Sequence, residues 1–134
     1  MFKLEPGKRY MMPAHFGPRP SPPKSSFRYN DITSMTVPFL TDRDSLAQYL
    51  PEPLEVADNA LITVTYACNR NVDFLAGHGY NMIGVSAAVV FNGEQEKLEG
   101  NYTLVIWENL ADPILIGREA QGIPKIYADI QDHS

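Results

Sequence analysis

Little in this chain invites disulfide or metal chemistry. Of its 134 residues one is cysteine, Cys68, and three are histidines, His15, His78 and His133. A single thiol forms no internal disulfide, and no two histidines have the i, i+4 spacing or the cysteine company of a metal site. Basic residues are scarce too: 11 Lys and Arg stand against 16 Asp and Glu, for a net charge of −5. With the cations thinly spread, the basic patch of a nucleic-acid binder is missing. No apolar run approaches the roughly 20 residues of a bilayer-spanning helix. The opening residues, Met1 to Gly7, lack the apolar core of a secretory signal. The expectation is a cytoplasmic protein with no membrane or nucleic-acid partner. Ser86 and Ser134 have no nucleophile-elbow context. Gly77-His78-Gly79 lacks the Lys-Ser/Thr and helix start of a phosphate loop.

What is present is an ordinary globular composition, 44% apolar and 20% charged, enough for one domain with one core. Residues 1–26 hold Pro13, Pro18, Pro20, Pro22 and Pro23, a density that neither a helix nor an inner strand accommodates. They read as an extended arm, lying over the body or a neighbouring subunit, or as a frayed tail. Residues 27–134 form the domain proper.

Within it, Phe27–Leu40 reads as a strand. Met35, Val37 and Phe39 alternate with Ser34, Thr36 and Pro38 in a half-buried pattern, and Pro38 places the strand at an edge. Thr41 is the expected cap of a short helix, Asp42–Leu50, ended by Pro51 and Pro53. Leu61–Ala67 is a strand, and Asn69–Gly79 a loop in which His78 is a candidate for a pocket mouth. Tyr80–Phe91 and Asn101–Trp107 are strands with apolar residues in both phases, as in a closed or two-layered sheet. Asn92-Gly93 marks the turn between them. Asp112 and Pro113 read as the cap and first residue of a helix over Ile114–Gln121, which Gly122 ends. Ile123–Ile130 is extended again. The fold class is mostly β (α+β), an antiparallel, curved or barrel-like sheet with short helices. The strands are too few to close a barrel alone, so a complementary portion or partner is expected to cover the open edges.

The candidate chemistry lies in Gly117-Arg118-Glu119-Ala120-Gln121-Gly122-Ile123-Pro124-Lys125-Ile126-Tyr127. Lys125 sits in an apolar run after a Gly and a Pro that set the backbone. Lost hydration favours the neutral amine, and a neutral lysine is a nucleophile able to form a Schiff base with a carbonyl substrate. The alternative is a lysine whose stem packs on apolar surface while its head reaches water. Arg118 and Glu119 read as structural partners, Glu119 satisfying backbone donors or pairing with Arg118. Arg19, Arg28 and Arg70 are possible carboxylate binders or solvated surface groups.

The pattern Gly117-Arg118-Glu119, a variable triplet, then Pro124-Lys125 resembles the lysine motif of the acetoacetate decarboxylase family. Thr41-Asp42, Pro51-Glu52-Pro53-Leu54-Glu55, Phe91-Asn92-Gly93 and Asn101-Tyr102 agree with that family in order and spacing. The resemblance covers about Phe27 to Tyr127, and the family chain is roughly twice as long. It implies an antiparallel β cone or barrel, about half of it present here, and a homo-oligomer. It implies that Lys125 forms an imine with a small keto acid, with no metal or organic cofactor. The family's decarboxylase is the standard case of a lysine activated by a neighbouring cation.

Three departures follow. The second lysine of true decarboxylases is replaced by Ile126. The family's two active-site glutamates fall, by ungapped counting, at Val64 and Met82. Its carboxylate-binding arginine falls near Ile32, with Arg28 the closest substitute. A branch known for aldolase–dehydratase chemistry on pyruvate resembles this chain in having a glutamine four residues before the lysine, here Gln121, and a strand tyrosine, for which Tyr80 is the candidate. The resemblance therefore implies a Schiff-base lyase with Lys125, Gln121, Tyr80, Arg28 and Met82 at the site, favoured as a pyruvate aldolase–dehydratase. The alternatives are an acetoacetate (β-keto acid) decarboxylase and a non-catalytic ligand-binding module.

Overall fold

A computed structural model describes residues 2–18 and 26–132. Six strands form one sheet. They are β1 (Tyr29–Leu40), β2 (Leu54–Val56), β3 (Leu61–Val72), β4 (Tyr80–Asn92), β5 (Lys97–Glu108) and β6 (Lys125–Tyr127). The order is β1-β3-β4-β5-β6, with β2 hydrogen-bonded to β4. All pairs are antiparallel except β5–β6, which is parallel. A register shift between Val85 and Ser86 leaves an extra residue on β5, a bulge of the kind that bends a sheet. The mostly β, antiparallel-rich architecture matches the sequence reading.

The details differ at several points. The first strand is an edge strand, as Pro38 requires, but its residues are exposed throughout, Met35, Val37 and Phe39 included. Alternation records which face an apolar residue takes, and here none of the described residues covers that face. The first helix, α1, runs only Arg43–Ala47, and its cap is Asp42 rather than Thr41: the Asp42 carboxylate accepts from the Ser45 N–H at 2.8 Å. Leu46 is the one α1 side chain that reaches the core. β3 continues to Val72 through residues read as loop, because its partners on β1 extend equally far. The second helix, α2, spans Ala111–Ile116, so Asp112 and Pro113 lie inside its first turn, not at the cap and first position. A wider π-type turn, Gly117–Gln121, follows, and Gly122 ends it at φ 70°, the left-handed region that suits glycine.

Two apolar clusters lie at opposite ends of the β3–β4 pair. Leu46, Val56, Ala60, Ile62, Ala87 and Val89 form the first, and Val64 packs on it. Arg43 ties α1 to this end by donating to the carbonyls of Val56 and Ala57 at 2.7 and 2.8 Å. Val72, Leu75 and Tyr80 form the second, with Phe74, Met82 and Leu110 packed against it. At this second end β4 begins, β5 stops and β6 starts. No helix among the described residues is long and apolar enough to cross a membrane.

Candidate active site

Lys125 is the first residue of β6, and the connection β5–α2–β6 explains why it lands where it does. A strand, a helix and a second strand in one sheet return the chain parallel to its start. Ile106 pairs with Lys125, so Glu108, two residues further along β5, shares its face of the sheet. The Lys125 Nζ lies 2.8 Å from Glu108 Oε1 and donates to the carbonyl of Pro113 at 3.2 Å. Both side chains are buried: the lysine is 9% exposed and the glutamate 1%. The amine is therefore not in purely apolar surroundings, as its sequence neighbours suggest; it faces a carboxylate. Ile126, next along the strand, turns to the other face and is exposed.

The Gly-Arg-Glu triplet builds the cradle. Gly117 lies against the lysine stem, where a β-carbon would come within 2.6 Å of Lys125 Cε and 3.1 Å of Nζ. Arg118 donates to the Lys125 carbonyl at 2.9 Å, fixing the start of β6. Glu119 accepts from the Met12 N–H at 2.9 Å, holding the N-terminal segment against the body. Satisfying a backbone donor was one of the two roles open to Glu119.

Two opposing influences act on Glu108. Burial pushes its carboxyl up from the ordinary carboxylate range, and the Lys125 ammonium pulls it back. Its second oxygen, Oε2, has no hydrogen-bond partner among the described residues. Tyr80 is buried nearby, its hydroxyl 3.3 Å from that of Tyr29. Burial, then the Tyr29 hydrogen bond and charge, then the Glu108 charge, push its phenol up.

Lys125 opens on a cavity of about 600 Å³. Phe27, Tyr29, Phe74 and Tyr80 form an aromatic wall, Pro113, Ile116, Glu119, Ala120 and Gln121 come from the α2 side, and Arg9, Tyr10 and Met11 from the N-terminal segment. The rings of Phe27 and Tyr29 each meet Phe74 edge-on at 5.8 and 5.9 Å.

Three of the residues singled out in the sequence, Lys125, Gln121 and Tyr80, thus line one cavity. Arg28 does not: it is exposed, and its backbone N–H donates to Asp73 at 3.0 Å. Met82 is not in the lining either, but pairs with Glu108 across β4–β5 and gives that carboxylate an apolar neighbour. His78 is not among the lining residues, and its backbone closes the 73–79 turn. Arg70 pairs with Asp132 at 2.9 Å. Arg19, His133 and Ser134 lie outside the described residues.

The residue that sequence reasoning missed is Glu108. A lone acid closing the apolar strand 101–107, then a helix and a strand carrying a lysine, was its signal. The parallel return brings the two together.

A family model described as acetoacetate decarboxylase matches residues 11–134. Acetoacetate decarboxylase 1 of Bradyrhizobium diazoefficiens is 34% identical over 125 residues, 92% of this chain and 46% of that protein. Among solved structures, an acetoacetate decarboxylase superposes with a TM-score of 0.69 at 24% identity, covering 90% of this chain and 45% of that one. The enduracididine biosynthesis enzyme MppR, complexed with the condensation product of pyruvate and imidazole 4-carboxaldehyde, gives 0.60 at 20% identity, over 72% of this chain and 38% of that one. At these identities the structures share the fold. The chain spans less than half the length of these relatives.

Proposed function

We propose that this chain, which belongs to the acetoacetate decarboxylase family, is the lysine-bearing part of a lyase that joins Lys125 to a small keto acid as a Schiff base. The observation that carries this reading is a buried amine opening on a cavity that also holds Gln121 and Tyr80. An imine on Lys125 is an electron sink. It stabilises the enamine left when a neighbouring carbon loses a proton or carbon dioxide. Arg9, a cation in the lining, is suited to the substrate carboxylate. No metal or organic cofactor is needed for these steps.

The favoured reaction is pyruvate aldol condensation followed by loss of water. The pyruvyl enamine attacks an aldehyde, and Gln121 and Tyr80 position the reactants by hydrogen bonding. The cavity of about 600 Å³ has room for a second reactant beside a three- or four-carbon acid. Position 126, an isoleucine on the opposite face, supplies no cation to the amine. Decarboxylation of a β-keto acid is the second reading, supported by the names of the sequence relatives. The products separate the two. With pyruvate and an aromatic aldehyde, ultraviolet absorption from an unsaturated keto acid is expected. Carbon dioxide release from acetoacetate without that absorption overturns the condensation reading, and neither product leaves a binding module.

The remainder of the barrel comes from a complementary portion or from further copies of the chain. The exposed apolar residues Ile32, Met35, Val37, Phe39 and Leu40 on β1 support this, together with the length of the relatives. Native mass spectrometry is expected to show a homo-oligomer or a second polypeptide; a lone monomer contradicts it.

A further inference from the structure

We propose that Glu108 is the proton acceptor for Lys125: it takes the ammonium proton that must leave before the amine attacks, and returns it to the imine nitrogen. The proposal rests on the reading of Lys125 as an imine former.

Three observations point to this role. First, Glu108 Oε1 is 2.8 Å from Nζ, the one ion pair of that nitrogen among the described residues, and the hydrogen bond beside it goes to a backbone carbonyl. Second, Oε2 is buried without a donor, so an anion there is poorly supported and the carboxyl readily accepts a proton. Burial pushes the carboxyl in the same direction. Third, Lys125 lines the cavity and Glu108 does not, so the carboxylate stands behind the amine and leaves the substrate space free. Once a proton has moved to Oε1, the lone pair it leaves points at Glu108; rotation about the Cε–Nζ bond turns that lone pair toward the cavity, and an N–H can then face Glu108 or the Pro113 carbonyl.

The steps balance. The ammonium and carboxylate become an amine and a carboxylic acid by transfer of one proton. The amine adds to the keto carbon, and water leaves to give a neutral imine. The imine nitrogen then takes the proton back from Oε1, giving an iminium beside a carboxylate. Glu108 ends as it began, and its negative charge lies against the electron sink. Among the described residues the other titratable or charged groups around the pair are Tyr80 on β4, Tyr29 on β1, Arg118 and Glu119 after α2, and Arg9 and Tyr10 of the N-terminal segment; Arg118 is engaged by the Lys125 carbonyl. Glu119 is engaged by the Met12 N–H, and the Tyr80 hydroxyl is at hydrogen-bond distance from that of Tyr29. None of these groups contacts Nζ in the contacts that define the pair.

The test follows the rate of borohydride-trapped pyruvate adduct across pH for the wild type, Glu108→Gln and Glu108→Asp. Glu108→Gln is expected to slow trapping about 10²–10⁴-fold near neutral pH, the usual yield of a positioned acid or base. The deficit should close as pH rises, because hydroxide then takes the ammonium proton in place of Glu108. Glu108→Asp, which keeps a carboxylate further from Nζ, should fall between the two. A Glu108→Gln rate equal to wild type, or lower by one factor at every pH, overturns the proposal. Should Glu108→Gln fail to fold by circular dichroism, the aspartate variant decides: a pH profile unchanged from wild type is the contrary result. A wild-type chain that traps nothing at any pH overturns the Lys125 reading itself, an outcome distinct from a wild type that traps and a variant that does so equally well.

Discussion

Gly117→Ala is expected to cost about 10²-fold in the rate of imine formation while the chain stays folded. The glycine is not there for its backbone freedom. It has φ −61° and ψ −47°, ordinary helical values that alanine adopts easily. In conformational terms alanine would even help the turn, by up to about 1 kcal/mol. What alanine cannot have is space. Its β-carbon would come within 2.6 Å of Lys125 Cε and 3.1 Å of Nζ. The stem must give way, and Nζ moves with it from the positions set by Glu108 and the Pro113 carbonyl. A displacement of about 1 Å at a reacting atom is enough for a 10²-fold loss. Single-turnover trapping with pyruvate reads the rate, and thermal melting reads the fold. An unchanged rate would mean that the first residue of the Gly-Arg-Glu triplet does not shape the lysine site.

Lys125→Met is expected to produce a protein whose stability falls steeply as pH rises. Methionine replaces the lysine stem with similar volume but leaves Glu108 buried without a cation. Burial already raises that carboxyl, and the ammonium is what opposes the rise. With the ammonium gone, the folded-state value moves further up, while the unfolded chain keeps an ordinary value of about 4.3. Between the two values the native state binds more protons than the unfolded one, so stability declines with pH. The contribution is fully present below about pH 4.3 and is lost as pH passes the raised folded-state value. An uncompensated buried charge costs on the order of 3–5 kcal/mol near neutral pH. Replacing both partners, as in Glu108→Leu with Lys125→Met, should recover most of this, since an apolar pair leaves no charge to desolvate. Urea titrations at several pH values give the comparison. A Lys125→Met slope equal to that of the wild type would contradict a tightly coupled pair.

The parts of the fold that the sequence makes legible are those set by local chemistry. Pro38 marks an edge strand, Gly122 stops a helical segment, and the long apolar runs around 80–91 and 101–107 are central strands. Errors arise where the deciding interaction is distant. Asn69 to Val72 carry loop-forming residues, yet they stay in β3 because β1 pairs with them. Met35, Val37 and Phe39 alternate as a half-buried strand should, but alternation does not say whether anything covers the face. The cap falls to Asp42 in place of Thr41, a shift of one residue that side-chain type alone does not resolve.

The site divides in the same way. Lys125, Gln121 and Tyr80 are legible because backbone-setting residues and a family motif surround them. Arg9 is hidden in a proline-rich segment that shows no periodicity, and reaches the cavity because Glu119 holds Met12. Glu108 lies 17 positions from Lys125 and meets it through a parallel pairing across a helix. Reading strand, helix and strand as one crossover unit would have placed the acid beside the amine. Reading the lysine by its immediate neighbours did not. The resemblance puts one of the family's glutamates at Met82, and in this chain the carboxylate stands directly across from it, on the next strand.

The central claim is that Lys125 forms an imine, and one measurement addresses it directly. The chain is incubated with pyruvate and borohydride, its intact mass is recorded, and the modified peptide is sequenced by mass spectrometry. The account predicts a single adduct, equal to one pyruvate less water plus the two hydrogens of reduction, on the peptide that contains Lys125, and its absence from the Lys125→Met variant. An unmodified protein, or an adduct on another lysine that persists in the variant, would contradict it.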